Sequence, residues 1–209
     1  MIDYSELSVK NICNAYTSYI VACYKYNELE KFIDFSQITS CLDFGAGTLG
    51  ESAYISDSGL VNTVYYYDLN LTKISNFKNI FKRKNLKIYN LKSKLKFDLI
   101  ILSNVIQYLN KDQISHILDY LLNKNGIILL TIPKKTFLDF ILKRSKNQSF
   151  NYKSNFLFIK KRLKLQKKIN TKTYLFSFTN FNLLSLYKRF LLSLLFLTND
   201  TSYIIFKNK

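Results

Sequence analysis

The sequence predicts an α/β fold, with a mostly parallel sheet covered by helices on both faces. Three observations predict it. Short apolar runs alternate with helix-period segments from residue 38 to residue 133. Three of the chain's five glycines, Gly45, Gly47 and Gly50, fall within six residues directly after the first of those runs. At the far end, two apolar runs are joined by a short turn around Asn199-Asp200, a connection that only an antiparallel pair can use.

The elements follow in order. Residues 4–33 read as a helix, with Tyr16, Ile20, Cys23 and Tyr24 near one face. Ile38 to Phe44 is the first strand, the glycine loop follows, and Glu51 to Ser56 opens a helix. Val61 to Tyr67 is a second strand, ending at Asp68. Ile74 to Lys84 is a basic helix, and Leu86 to Tyr89 a short third strand. FDLIIL (Phe97 to Leu102) has no polar alternation beyond Asp98, so it reads as a strand buried on both faces. Asp112 to Leu122 places Ile114, Ile117, Leu118 and Leu121 on one helical face, and Asn125-Gly126 reads as its stop. Ile127 to Ile132 is a fifth strand, closed by Pro133. Phe181 to Phe190 reads as a helix, and Leu191 to Leu197 with Ser202 to Phe206 as the terminal strand pair.

Composition bounds the class. A chain of 209 residues with 48% hydrophobic content, 17 Phe and 16 Tyr can build one sizeable core. The formal charge of +17 is divided unevenly: residues 1–70 carry net −6 and residues 71–209 net +23. The Lys-, Asn- and Ile-rich usage resembles that of an AT-rich gene, which weakens charge alone as a sign of nucleic acid. Cys13, Cys23 and Cys41 have no metal-ligand spacing and form no even-numbered framework, so no metal is expected and a reducing, cytoplasmic setting is. The acidic N-terminus lacks an apolar signal region. The longest apolar stretch, Phe181 to Leu197, is interrupted by Lys188 and Arg189, so no membrane span is expected.

The chemistry concentrates at CLDFGAGTLGES. Glycine is needed where the backbone turns at positive φ, or where a ligand approaches too closely for a Cβ. Such a loop between a strand and a helix is where α/β folds bind nucleotide-like cofactors. GAGTLG fits the dinucleotide pattern GxGxxG, yet Asp43 stands just before it. A carboxylate there repels a pyrophosphate and attracts an ammonium group. Asp68 lies 18 residues after Gly50, placed to accept hydrogen bonds from ribose hydroxyls or to cap the next helix.

With FDLIILSNVIQYL and LLNKNGIILLTIP following in order, the chain resembles the class I S-adenosylmethionine-dependent methyltransferases over residues 38–133 and again at its end. The resemblance implies a Rossmann-like three-layer sandwich with a seven-stranded sheet ordered 3-2-1-4-5-7-6, strand seven antiparallel. It implies S-adenosylmethionine as cofactor. It divides a single domain, 1–209, into an N-terminal helical cap (1–35), a cofactor-binding core (36–133), a substrate-facing basic insertion (134–180) and a closing helix and hairpin (181–209).

Residue by residue, the resemblance gives Asp43, Gly45, Ala46 and Gly47 to the methionine part of the cofactor, with Asp43 either touching it or held by backbone N–H groups. Asp68 matches the ribose acid and Leu69 the residue beside the adenine. Ser103 and Asn104 match the segment beside the transferring methyl, Asn104 being equally suited to a helix cap, and Gln107 and Tyr108 open the next helix. The sequence departs from the family at Leu49, where the family has Gly, and after the third strand, where Asn90 replaces an acid that bonds the adenine amino group. No catalytic base is nominated; His116, the single histidine, sits on a helix away from the strand ends. Tyr16 and Tyr19 read as core aromatics or as a cover for the cofactor.

The expected acceptor is an O or N nucleophile of a small or carrier-linked metabolite. A phosphate-bearing one would suit the 15 basic residues between Lys134 and Arg189. RNA is the second reading, since FIKKRLKLQKKINTKTY mixes cations with aromatics. Signatures of DNA amino and cytosine-ring enzymes are absent, Pro133 being the only proline. A third reading is a non-catalytic subunit that keeps the fold and has lost the cofactor.

Overall fold

The structure is a computed structural model that describes residues 9–70, 77, 80, 81, 83–133, 148–172 and 200–208. Helix α1 spans Val9–Leu29. Strand β1 (Ser40–Phe44) leads through the glycine loop into α2 (Gly50–Ser58), and β2 spans Thr63–Tyr67. Strand β3 (Leu86–Ile88) and β4 (Phe97–Ser103) follow. A 3-10 turn (Ile106–Tyr108) precedes α3 (Lys111–His116), which runs on as a π-turn over Ile117–Leu121. Strand β5 spans Leu122–Pro133, α4 Gln148–Arg162, β6 Lys164–Lys172 and β7 Asp200–Lys207.

The seven strands form one sheet in the order β3-β2-β1-β4-β5-β7-β6. Strands β1 to β5 pair in parallel, and β7 runs antiparallel to both neighbours. Both the order and the reversed seventh strand are those expected. Strand order reverses between β1 and β4, which opens a crevice at their carboxyl ends.

Strand β4 shows why an unbroken apolar run belongs at the sheet's centre. Leu99 and Ile101 pack with Ala15, Tyr26, Ala53 and Tyr66 on the side of α1 and α2. Ile100 and Leu102 pack with Ile114, Leu118 and Ile159 on the side of α3 and α4. At the strand's amino end the Asp98 carboxylate accepts hydrogen bonds from Thr39 and Ser40, backbone and side chain, and from Asn123 Nδ2. Burial pushes Asp98 up, but the bonds from Thr39, Asn123 and Ser40 outweigh it, so its pKa is lowered. Folded Asp98 thus holds its proton less tightly than unfolded Asp98. Its stabilisation is present above the usual carboxylate range and is lost as pH falls through the folded value. Asp98→Ala is expected to cost about 2 kcal/mol at pH 7 and to flatten the loss of stability on acidification, measured by urea unfolding at a series of pH values.

Three expectations are corrected. The face of α1 read as apolar points outward: Tyr16, Ile20 and Tyr24 are half exposed or more. The buried face is Ala15, Ala22, Tyr26 and Leu29, spaced by seven, four and three. Two small alanines let the helix lie close to α2, and the larger aromatics nearby drew attention to the wrong side.

Asn125-Gly126 does not end the third helix. The π-turn passes directly into β5 at Leu122, and the dipeptide sits within the strand where the β4–β5 register shifts. A Cβ on Gly126 would lie 2.7 Å from Leu122 Cδ1 and 3.0 Å from Phe97 O, so close approach within the sheet explains this glycine.

The partner of β7 is Lys164–Lys172, where the sequence pointed to Leu191 to Leu197. As an edge strand β6 is exposed from Lys164 to Lys168, with Ile169 packing against the core, and its many lysines discourage edge pairing, so an apolar pattern did not reveal it. Helix α4 and β6 therefore complete the sheet and its layer within the stretch read as an insertion, and Ile159 and Leu163 are buried there. Residues 181–199, read as a helix and a strand, and most of the 74–84 helix lie outside the described residues.

Candidate functional site

The glycine loop lies at the carboxyl end of β1, beside the crevice. The amides of Gly45 and Ala46 both donate to Tyr67 O, at 2.7 and 3.1 Å. Gly47 N–H donates to Asp68 Oδ2 at 3.0 Å, and Asn70 N–H to Asp68 Oδ1 at 2.9 Å. The loop is thus folded against the end of β2, and Asp68 is the post that holds it.

The three glycines do three different things. Gly45 has φ +87°, and a Cβ there would lie 2.6 Å from Val105 Cγ2, in the segment after β4. Gly50 faces α1: a Cβ would meet Ala15 O at 2.4 Å and Tyr19 N at 2.6 Å. Gly47 has φ +54°, and the nearest atom to a Cβ is Gly45 O at 4.0 Å. Only at Gly47 does the missing side chain leave open space, and that space is where a ligand can lie against the main chain.

Leu49, the departure from the family, is fully buried and left-handed, with φ +60°. The conformation that favours glycine is kept and the residue is not. Its side chain packs into the core while its backbone bears the strain. Leu49→Ala is expected to cost about 3 kcal/mol. Leu49→Gly loses the same packing and releases the strain, so it should be about 1 kcal/mol less damaging in thermal unfolding.

Carboxylates surround the loop. Asp43 is 2% exposed and accepts a 2.5 Å hydrogen bond from Ser52 Oγ. Burial raises its pKa to about 7, with the Glu51 charge adding to the rise and Asp68 contributing; the Ser52 bond and Lys25 oppose it. Such burial makes Asp43 an acceptor for Ser52 and a source of field rather than a surface for direct contact. Glu51, in the first turn of α2, was not foreseen. It accepts from Lys25 Nζ at 2.5 Å, Tyr26 OH at 2.9 Å and Ser103 Oγ at 2.7 Å. The signal available for Lys25 was its place in an acidic segment: it is one of three basic residues in the first 70, on the helix that covers the loop.

The remaining expected residues divide. Leu69 is 81% exposed beside Asp68, an apolar side chain free to cover a ring. Asn90 is exposed at the carboxyl end of β3, its Oδ1 accepting from Lys92 N–H in a tight turn. Asn104 is exposed with φ +55°, its N–H donating to Thr131 O at 3.1 Å, and Gln107 Nε2 donates to its carbonyl at 2.7 Å. A non-glycine residue in this region is strained, and it sits at the mouth of the crevice. Ser103 turns the other way, into the Lys25–Glu51–Thr131 cluster. His116 is exposed, with its ring beside Tyr120. Tyr19 is committed to packing: its OH donates to Asp57 and its ring stacks on Phe81.

Two further features lie apart from the crevice. The basic group Lys160, Lys161 and Lys164 is at the amino-terminal edge, since Lys164 pairs with Lys207 and Lys207 with Ile127. Arg162 there pairs with Asp119. No group of His, Cys, Asp and Glu suited to a metal ion occurs among the described residues, and no described helix is long and apolar enough to cross a membrane.

No family model matches the chain, and no curated relative matches it. Solved structures do. The N-methyltransferase NodS from Bradyrhizobium japonicum superposes with a TM-score of 0.58 at 13% identity, over 88% of this chain and 94% of that one. NodS has also been solved in complex with S-adenosyl-L-homocysteine. The methyltransferase domain of a bacterial Hen1 superposes at 0.59 and 11% identity, over 94% and 98%. A phosphoethanolamine N-methyltransferase of Haemonchus contortus gives 0.55 and 14% identity, over 81% and 48%. At these identities the likeness is one of fold, and the chain carries the seven-stranded Rossmann-like fold of these methyltransferase structures.

Proposed function

We propose that the protein binds S-adenosylmethionine and transfers its methyl group to an oxygen or nitrogen of a small or carrier-linked metabolite. One observation carries the cofactor assignment: three carboxylates, Asp43, Glu51 and Asp68, ring a glycine loop that is open at Gly47, with Lys25 the one cation beside Asp43 among the described residues. A pyrophosphate at this loop would meet net negative charge. It would also find the Gly45, Ala46 and Gly47 amides already bonded within the protein. A ligand bearing an ammonium and a sulfonium suits the same field. The S-adenosyl-L-homocysteine complex of NodS, on the same fold, supports the reading.

In this reading Gly45, Ala46 and Gly47 line the methionine part, Asp68 receives the ribose hydroxyls, Leu69 and Asn90 border the adenine, and Asn104 lies by the transferring methyl. Asp43 and Ser103 act from behind, through charge and through the position of Asn104. The cofactor supplies an electrophilic methyl, so the chain's task is to orient it and to exclude water. The metabolite assignment is supported by Lys160, Lys161 and Lys164 standing at the sheet's amino-terminal edge, away from the crevice, although β6 itself runs on to Lys172 at the carboxyl end.

A pH dependence follows. Ionised Asp43 favours a ligand's ammonium group, which S-adenosyl-L-homocysteine also carries, so affinity should rise as pH passes upward through about 7. Between pH 6 and pH 8 the gain should approach about tenfold for S-adenosyl-L-homocysteine, and Asp43→Asn should abolish it. The function is tested by supplying labelled S-adenosylmethionine with a cell extract. Label is expected in the metabolite fraction; label in RNA, or none with cofactor bound, would overturn the acceptor assignment.

A further inference from the structure

We propose that Lys25 is a positioning residue of the cofactor crevice: its ammonium clamps the carboxyl ends of β4 and β5 to Glu51 and sets the charge that the ligand meets. The inference rests on the reading above and goes beyond it, to a residue of α1 that belongs to none of the expected motifs.

The ammonium is 3% exposed, and each of its three donors has an acceptor. They are Glu51 Oε1 at 2.5 Å, Ser103 Oγ at 2.9 Å and Thr131 Oγ1 at 2.6 Å. These belong to the first turn of α2, the end of β4 and the carboxyl end of β5. The rings of Tyr26 and Tyr203 stand 5.5 Å away on centroid distance. Burying an ammonium costs several kcal/mol, and a well-packed apolar side chain would serve stability at least as well. What a methionine could not do is hold three elements by hydrogen bonds. Ser103 passes the restraint on: its Oγ also donates to Glu51 Oε2, and its neighbour Asn104 is pinned to Thr131 O in the left-handed region. The clamp thus reaches the mouth of the crevice through one peptide unit.

The same ammonium governs the charge. The titratable groups facing Asp43 are Lys25 and Tyr26 of α1, Glu51 of α2, Cys41 of β1 and Asp68 after β2. Lys25 favours the ionised form of Asp43, and Glu51 opposes it. The two partners of one ion pair therefore act on Asp43 with opposite signs, so their removal should shift its titration in opposite directions.

The test is titration of S-adenosyl-L-homocysteine against wild type, Lys25→Met, Lys25→Arg and Glu51→Gln, each from pH 5.5 to pH 8.5, with thermal unfolding in the same buffers. Lys25→Met is expected to bind about tenfold more weakly at pH 7, with the midpoint of its affinity profile raised by about one pH unit. Glu51→Gln is expected to lower the midpoint, and Lys25→Arg to return it toward wild type. Midpoints that move together, or do not move, overturn the proposal. Should Lys25→Met not fold, Glu51→Gln decides by itself: a midpoint that stays or rises overturns it. Absence of binding by folded wild type at every pH is a different result, and sinks the cofactor reading instead.

Discussion

Asp68→Ala is expected to weaken S-adenosyl-L-homocysteine binding by about a hundredfold while the protein stays folded. Two hydrogen bonds from ribose hydroxyls to a carboxylate contribute about 3 kcal/mol, and a methyl group replaces neither. The residue also holds Gly47 N–H, so part of the loss comes from a loosened loop. Adenosine separates the contributions. It carries the ribose without the amino acid or a formal charge, so a ribose contact predicts that adenosine binding falls too. If adenosine binds wild type and variant equally, Asp68 acts only through its field. Because Asp68 and its neighbours are partly exposed, the cost in stability should stay near about 1 kcal/mol by urea unfolding.

Gly50→Ala should have as large an effect on the fold as any other substitution proposed. The added Cβ would lie 2.4 Å from Ala15 O, 2.6 Å from Tyr19 N and 2.7 Å from Ser18 Cβ. Two of these atoms are backbone, so no side-chain rotation relieves the clash and α1 must move away. Overpacking of this kind costs about 3 kcal/mol. For a chain of this length that is a fall in Tm of about 9 °C. Displacing α1 also withdraws Lys25 from Ser103 and Thr131, so ligand binding should suffer as well. Gly47→Ala is the contrast: its Cβ meets nothing closer than 4.0 Å, so only the left-handed φ of +54° costs stability, about 1 kcal/mol, and the fold should survive while the ligand is kept out. If the two variants lost stability equally, the division of labour among the three glycines would be wrong.

Much of this site was legible in the sequence, for identifiable reasons. A strand–glycine loop–helix unit has few sequences that can build it, so Gly45, Gly47, Asp43 and Asp68 announced themselves by spacing. The central strand β4 was plain because burial on both faces leaves no choice but apolar residues. Features set by tertiary context were not legible. Gly50 looked like a ligand-facing glycine, yet its neighbour is α1, which lies 31 residues earlier at Tyr19. Strand β6 is an edge strand rich in lysine, so its sequence is compatible with a solvated helix or loop. Lys25 and Glu51 form a pair 26 residues apart, and only the packing of α1 on α2 makes them neighbours. Leu49 shows the reverse case: the left-handed backbone persists without its glycine because the side chain finds a fully buried place.

The ligand proposed for this loop is an adenosyl-bearing amino acid and not a dinucleotide. Calorimetric titration of folded protein with S-adenosyl-L-homocysteine, and separately with NAD, tests it most directly. Saturable heat with the first and none with the second is the predicted result. No heat with S-adenosyl-L-homocysteine from well-folded protein, or tighter binding of NAD, would contradict it.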